Sequence, residues 1–368
     1  VLTSNFGNPS SVYAAGRNAR KAIEDAREQL ADVIGAQPSE IVFTAGGTEA
    51  DNLALKGTAM RSGRNSGHII TAAAEHHAVL HSAEWLASRG FEVTIIPVRP
   101  DGIVDLERLA DALRPETLVV SVMTVNNEVG TIQPIEEIVA LVKEKSRALV
   151  HTDAVQALGK IPVDVRLSGV DMAAFSAHKL GGPKGTGALY VRRRTPLEAL
   201  LHGGGQERDM RSGTPNVAGI AGFGKAAQIA SAELPQEGLR LAAMRDRLQS
   251  EISVRIPGAQ VIGGEAPRIP GTLNICFGGL EGESLLLMLD QQSIAASSGS
   301  ACTSGSLDPS HVLAAMGVPR TFALGALRMS LGRGSTDGDV DHLLAVLPGI
   351  VDRLREKAGG RRPARAAG

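Results

Sequence analysis

The sequence predicts an α/β protein: a large domain on a mostly parallel central sheet, followed by a smaller α+β C-terminal domain. Three observations carry this. Strand-like runs alternate with helical stretches from Ile41 to Arg192, the pattern of βαβ units. The polar, Pro-containing stretch Glu233–Gly238 separates that region from one with a different rhythm. The length, 368 residues, accommodates about two domains at roughly 150 residues each.

The elements follow in order. Ala19, Ile23, Ala26, Leu30 and Val33 recur at helical spacing within Ser10–Ile34, and Gly35 suits the stop. Strand-like Ile41–Ala45 precedes a helix from Thr48, and His68–Ala73 precedes one from His76. Glu92–Val98 leads to a short helix over Leu106–Leu113, and Thr117–Val125 to a helix opened by Pro134. Ala148–Ala154, Met172–Ala177 and Ala188–Arg192 complete the series, and a helix over Val217–Ala232 ends the large domain, 1–232. After the hinge come a helix over Leu239–Ile256, a strand over Thr272–Phe277 and a helix over Gly282–Gln291. A Ser/Gly loop, a helix at His311–Met316, a strand at Ala326–Leu331 and a final helix complete the small domain, 233–358; the tail 359–368 is expected to fray. Ligands on such sheets sit at the carboxyl ends of the strands, so the residues just after each strand are the candidates.

Composition narrows the class. Hydrophobic residues make up 43% and charged residues 21%, which excludes a disordered chain or a fibre. A formal net charge of −1 argues against a non-specific nucleic-acid binder and a polybasic membrane-surface protein. No apolar run approaches the ~18 residues a membrane span needs. Two cysteines, Cys276 and Cys302, exclude a disulfide framework and a multi-cysteine zinc site, and they point to a reducing compartment, here expected to be the cytoplasm. The sequence opens at Val1 without an apolar leader, and the natural start is expected upstream. With 43 glycines and 3% aromatics, tight loops around phosphate are expected.

Three strand ends carry chemistry. Ile41–Ala45 runs into Gly46-Gly47-Thr48-Glu49, where paired glycines let backbone N–H groups approach an anion at the positive end of a helix. A glycine turn capped by Thr48 is the alternative, and a Walker A loop is excluded because no Gly-Lys-Ser/Thr follows. Asp153 closes a mostly apolar run, with Gln156 three residues on. An unpaired carboxylate at a buried strand end would cost several kcal/mol, so Asp153 needs a partner, unless it serves as a helix N-cap. Lys179 follows a buried-looking strand within Ser176-Ala-His178-Lys179-Leu-Gly181-Gly182-Pro-Lys184. A buried lysine tends to have a depressed pKa and to serve as a Schiff-base amine, whereas Lys184 reads as an ordinary loop lysine. An amine, a carboxylate and an anion cup are together what pyridoxal phosphate (PLP) requires: a Schiff-base partner, a group for the pyridinium nitrogen and a phosphate site.

Other residues have plainer uses. His77, His81 and Glu84 share a helix face at a spacing zinc accepts, but HExxH is absent and no further ligand is evident, so metal is the weaker reading. His76, first after its strand, is placed to stack on an aromatic ring and move protons near pH 7. Cys276 lies in apolar Leu273–Phe277 and reads as inert core. Cys302, within Ser297-Ser-Gly-Ser-Ala-Cys302-Thr-Ser-Gly-Ser306, has no core around it and reads as a nucleophile. Arg328, inside Ala326–Leu331, suits bidentate capture of a carboxylate or stands on an exposed strand face.

The sequence resembles the cysteine desulfurases of the NifS/IscS type, within the class V aminotransferases of PLP fold-type I. The resemblance runs nearly end to end. It rests on GNPSS (Gly7–Ser11), IVFTAGGTEADNLALKG (Ile41–Gly57), EHHAVL (Glu75–Leu80), VNNEVGTIQP (Val125–Pro134), HTDAVQALGK (His151–Lys160), SAHKLGGPKGTGALYVRR (Ser176–Arg193), HGGGQERDMRSGT (His202–Thr214), SSGSACTSGSLDPSHVL (Ser297–Leu313) and LRMSLGR (Leu327–Arg333). The long Ser/Gly loop around the cysteine looks like the NifS/IscS branch rather than the SufS branch.

That resemblance implies a role for each matching position. Lys179 would be the Schiff-base lysine, Asp153 the partner of the pyridine nitrogen, Gln156 the donor to the ring hydroxyl and His76 a stacking acid/base. Gly47, Thr48, Ser176 and His178 would hold the phosphate, and Thr214 would reach the phosphate of a neighbouring subunit in a homodimer. Asn127, part of the cofactor site, would hold the substrate carboxylate with Arg328. Cys302 would take sulfur from L-cysteine as a persulfide, leaving L-alanine, and pass it to an iron–sulfur scaffold or a tRNA-thiolation relay, with no direct nucleic-acid or membrane contact. A transient [2Fe-2S] cluster ligated by Cys302 and a scaffold's cysteines is compatible with this. The family's opening Asp-x-Ala-Ala-Thr-Thr-Pro segment is absent, and a substrate contact the family places near Val12 and Tyr13 does not transfer. The rivals are another class V enzyme, such as a selenocysteine lyase or aminotransferase, and a non-catalytic iron–sulfur carrier.

Overall fold

The structure, a computed structural model, describes residues 1, 3, 6–63, 66–298, 308–357 and 359. Cys302 and, apart from Gly359, the expected tail lie outside the described residues. The chain forms two compact units. One comprises Val1–Ile96, Asp105–Val125 and Gln133–Leu234; the other comprises Pro97–Val104, Asn126–Ile132 and Pro235–Gly368.

The first unit follows the alternation in the sequence. Its helices are α1 (Ala14–Ile34), α2 (Gly47–Arg61), α3 (His77–Ala87), α4 (Leu106–Ala112), α5 (Ile135–Lys145) and α6 (Val165–Ser168). Its strands are β1 (Ile41–Thr44), β2 (His68–Ala72), β3 (Glu92–Ile96), β4 (Thr117–Ser121), β5 (Leu149–Asp153), β6 (Met172–Ser176) and β7 (Gly187–Val191). They form one sheet in the order β1-β7-β6-β5-β4-β2-β3. All neighbours from β3 to β6 are parallel, and β7 runs antiparallel to β6 and β1. Residues of β6 and β7 are buried throughout, as expected of strands covered on both faces, while β3, at the edge, is largely open.

Helix α2 is buried nearly all round, through Ala50, Leu53, Ala54, Leu55 and Ala59. Small residues allow this: a Cβ on Gly57 would meet the carbonyl oxygen of Glu198 at 2.6 Å. The N-terminus of α2 is thereby fixed at the end of the sheet where β1, β5 and β6 finish.

Helix α7 (Val217–Arg255) runs straight through the expected hinge, carrying Pro235 in its interior. A helix-interior proline costs about 3 kcal/mol. Phe223 and Ala227 before it and Met244, Leu248 and Ile252 after it are all buried, and that packing outweighs the lost hydrogen bond. The second unit continues with β8 (Ala259–Ile262), β9 (Thr272–Phe277), α8 (Gly282–Asp290), α9 (His311–Ala315), α10 (Arg320–Ala323), β10 (Ala326–Ser330) and α11 (Asp337–Lys357). Its sheet, β10-β9-β8, is antiparallel. Ile275, Phe277, Leu285, Leu327, Leu347 and Ile350 form its core. Neither β8 nor α10 was expected; both are four residues long and too short to show a period.

Cys276 fits its inert reading. It is fully buried on β9, and burial pushes its thiol up to about 12. In the native protein Cys276 should resist thiol reagents at neutral pH and label only after unfolding, which mass spectrometry of pulse-labelled protein would check. Labelling at the rate of a free thiol would show that β9 opens.

Candidate active site

The first unit gathers its predicted residues at the carboxyl ends of the central strands. Gly46 is extended and gives the first-turn amides of α2 no side-chain acceptor, the geometry of an anion cup. A Cβ on Gly47 would lie 2.6 Å from Val155 Cγ2 and 3.6 Å from Ser176 Cβ, so only glycine fits between the end of β6 and the turn after β5. Thr48 is exposed beside it. Ser176 Oγ lies 2.9 Å from His178 Nδ1. Partial burial and the charges of Lys179 and Lys184 push the His178 imidazole below its ordinary pKa.

β6 is buried throughout, yet Lys179 itself is exposed, because the 3-10 turn Ala177–Leu180 lifts it off the strand end. Gly181, left-handed with φ 85°, closes that turn. Asp153 ends β5, is 5% exposed, and accepts the Val155 N–H at 2.9 Å. Burial raises its carboxyl pKa, against the pull of that N–H and of the Lys179 ammonium.

Behind Asp153 lies a cluster that sequence reasoning missed. Asp51 on α2 and Glu75 after β2 are buried, and burial raises both carboxyls well above the ordinary range; the charge of Asp153 adds to each. Glu75 Oε1 accepts the Met123 N–H at 2.7 Å. His151, two residues before Asp153 on the same face of β5, accepts or donates to Ser121 Oγ at 2.8 Å and stands 3.5 Å from Asp51 Oδ1. Burial pushes its imidazole down to about 3, so it is neutral. The available signal was a carboxylate one turn into α2 and another at the end of the apolar run Ile69–Ala74, three residues after β2.

His76 caps α3, with Nδ1 accepting the Ala78 N–H at 3.1 Å, which places the proton of the neutral ring on Nε2. His77 and His81 stack with ring centroids 4.8 Å apart. The Gln156 side chain accepts from Lys160. Thr214, exposed, borders a recess lined also by Phe43, Glu207 and Arg211. The loop leading to it is strained: Glu207, Arg208 and Asp209 have φ of 47°, 57° and 64°. Glu207 holds it down, accepting from Arg27 Nη1 and Nη2 and from the Phe43 N–H, each at 2.8 Å.

In the second unit Arg328 and Asn127 come together. Arg328 Nη1 donates to the Asn127 carbonyl at 2.8 Å. Among the described residues, Arg328 Nε and Asn127 Oδ1 are buried without a hydrogen-bond partner. A buried guanidinium N–H left without a partner suits a small carboxylate.

The chain matches the sequence family described as aminotransferase class-V over residues 1–343. A cysteine desulfurase IscS of Methanosarcina thermophila is 49% identical over 96% of this chain and 87% of its own. A cysteine desulfurase of Gluconacetobacter diazotrophicus is 50% identical over 96% and 89%. Among solved structures, a NifS-like protein superposes with a TM-score of 0.90 at 41% identity, covering 96% of this chain and 93% of its own.

The chain belongs to the class-V aminotransferases, in their cysteine desulfurase branch.

For a class-V aminotransferase the donor set of the first unit fits PLP. An uncapped helix N-terminus with Ser176 beside it suits a phosphate, buried Asp153 suits a protonated ring nitrogen, and Lys179 lies within electrostatic reach of Asp153.

Two outcomes follow for stability. A carboxyl whose folded pKa is raised contributes stability at low pH that is lost as pH rises through the folded value. Asp51→Asn should therefore stabilise the protein at about pH 8, with the gain shrinking toward about pH 5, as urea unfolding at the two pH values would read. Arg27→Met leaves Glu207 buried without its cation and should cost about 3–5 kcal/mol in the same assay. A cost below about 1 kcal/mol would mean that the pair does not hold the strained loop.

Proposed function

We propose that this chain is a PLP-dependent L-cysteine desulfurase that forms L-alanine and carries the sulfur as a persulfide on Cys302. The observation that carries it is the meeting of Asp153, Lys179, Ser176 and the α2 N-terminus at adjacent strand ends, in a chain whose relatives are named cysteine desulfurases. Bound PLP supplies an aldehyde for amine capture and a ring that accepts the electron pair of the substrate α-carbon.

The chain's own residues do the rest. Lys179 Nζ holds the cofactor and then moves the proton of the substrate α-carbon. Asp153 holds a proton on the ring nitrogen as a carboxylate, the form that the Val155 N–H and the Lys179 ammonium favour against the effect of burial. The amides of Gly47 and Thr48, with Ser176 and His178, bind the phosphate, Gln156 meets the ring hydroxyl, and His76 stacks with its Nε2 proton available. Arg328 and Asn127 orient the substrate by its carboxylate. The Cys302 thiolate attacks the substrate sulfur: the S–S bond forms, the C–S pair goes to the β-carbon, and a proton there completes alanine.

A homodimer in which Thr214 reaches the partner's phosphate belongs to the same reading, supported by the exposure of Thr214 and of Phe6, Val12 and Tyr13. A thiol that cycles through a persulfide requires a reducing compartment, which favours the cytoplasm. The sulfur then passes to an acceptor such as an iron–sulfur scaffold, where a transient [2Fe-2S] cluster on Cys302 would be cargo.

Lys179→Ala should abolish the near-visible absorption of the PLP-loaded protein. Cys302→Ser should keep that absorption and lose alanine formation from L-cysteine, followed by amino-acid analysis. Normal alanine formation by the serine variant would remove Cys302 as the nucleophile.

A further inference from the structure

The second unit holds a buried acid that none of these roles uses. Glu128 follows Asn127 and is 3% exposed. Its Oε2 accepts a hydrogen bond from Ser310 Oγ at 2.5 Å, and its backbone carbonyl accepts one from Asn274 Nδ2 at 3.2 Å. Asn274 pairs with Arg328 across β9 and β10, and Arg328 donates to the carbonyl of Asn127. Ser310 caps α9, accepting from the Val312 and Leu313 N–H groups. Ser297 exchanges backbone hydrogen bonds with Arg328 at 2.6 and 3.1 Å. Glu128 thus sits at the centre of a bonded set that includes the carboxylate clamp, Ser297 and Ser310.

Resting on the reading of Arg328 and Asn127 as that clamp, we propose that Glu128 is its positioning residue: it fixes the Asn127 loop against Ser310 and, through its charge, sets how tightly Arg328 holds a substrate carboxylate.

The charged neighbour acting on Glu128 is Arg328, from β10; Ser310 and Asn274 present neutral dipoles. Of the titratable groups flanking Ser310, Asp308 faces Arg320 at 3.3 Å, and His311 opens α9. Burial pushes the Glu128 carboxyl up to about 7, against the pull of the Ser310 hydroxyl and the Arg328 charge. An incoming carboxylate is a second anion beside Arg328. An ionised Glu128 opposes it and a protonated one does not, so binding takes up a proton on Glu128 and weakens as pH rises through its titration.

The test uses PLP-loaded protein and L-alanine, whose dissociation constant is read from the change in cofactor absorption between about pH 6 and about pH 9. Glu128→Gln is permanently neutral, and because it leaves His311 intact, any titration of that histidine cancels in the ratio of wild type to variant. The ratio should be near one at the low end and rise to roughly ten-fold or more at the high end, since a like charge at an effective dielectric of about 20 still gives about ten-fold at ~12 Å. With L-alaninamide, which lacks the anion, the ratio should stay flat. Ser310→Ala removes a hydroxyl that stabilises the ionised acid, so in that background the weakening should begin at higher pH; this arm decides the matter if the glutamine variant does not fold.

Parallel profiles for wild type and Glu128→Gln, an equal rise with L-alaninamide, or an unmoved profile in Ser310→Ala would each overturn the proposal. Absent L-alanine binding would overturn the clamp and this role with it. The expected profile in a protein that fails to desulfurate L-cysteine would support the role of Glu128 while sinking the activity reading alone.

Discussion

Asp153 stands at the end of β5 with almost no exposure, and burial drives its carboxyl toward the neutral form. A charge in that position survives only if something nearby answers it. Val155 gives a backbone N–H and Lys179 gives a positive charge from the end of the next strand. Asp51 and Glu75 work in the opposite sense, since three ionised carboxylates in one buried cluster would repel, and their raised pKa values mean they yield their charge first. Neutral His151 fits the same logic: an imidazolium there would compete with Lys179 for the single carboxylate that remains charged.

Much of this was legible in the sequence because parallel strands covered on both faces read as near-continuous apolar runs and the chemistry follows them. That rule marks Thr48, Asp153 and Lys179 as candidates, each with a plainer alternative that only their combination outweighs. It failed on α2, where Asp51 sits among Glu49, Asn52 and Lys56 in a helix buried nearly all round, with no separate polar face to mark a buried carboxylate. Glu128 was passed over within the quoted Val125–Pro134 segment, because what distinguishes it is a partner far along the chain, Ser310. The hinge expected at Glu233–Gly238 is helical, although the two units divide at Leu234 and Pro235: a helix-interior proline costs about 3 kcal/mol, and the packing of a long helix on both sides exceeds it.

The loop ending at Thr214 shows the same weighing of terms. Left-handed backbone at a non-glycine residue costs roughly 1–2 kcal/mol, and Glu207, Arg208 and Asp209 adopt it in succession. Such a turn persists only if its surroundings over-determine it. Glu207 meets Arg27 through both guanidinium nitrogens and also takes the first free amide of β1, while Arg208 donates to the Ile41 carbonyl. The bidentate pair is nearly fully buried, the regime in which losing one partner is most costly. The strain is therefore sited next to a strong anchor, and the residues after it, Arg211 to Thr214, are delivered to one place.

The two units solve one problem with different cations, and the choice has consequences. Lys179 is an ammonium whose proton can leave, so its charge and that of Asp153 are interdependent, and acids around it must stay neutral for the pair to keep its polarity. Arg328 cannot lose its proton under ordinary conditions. An acid beside it, Glu128, is free to titrate without disarming the guanidinium. A lysine at position 328 would lose both the planar fork and this independence, since its own charge would then follow that of Glu128. On the proposed reading, the arginine on β10 answers to the acid behind it as much as to a substrate carboxylate.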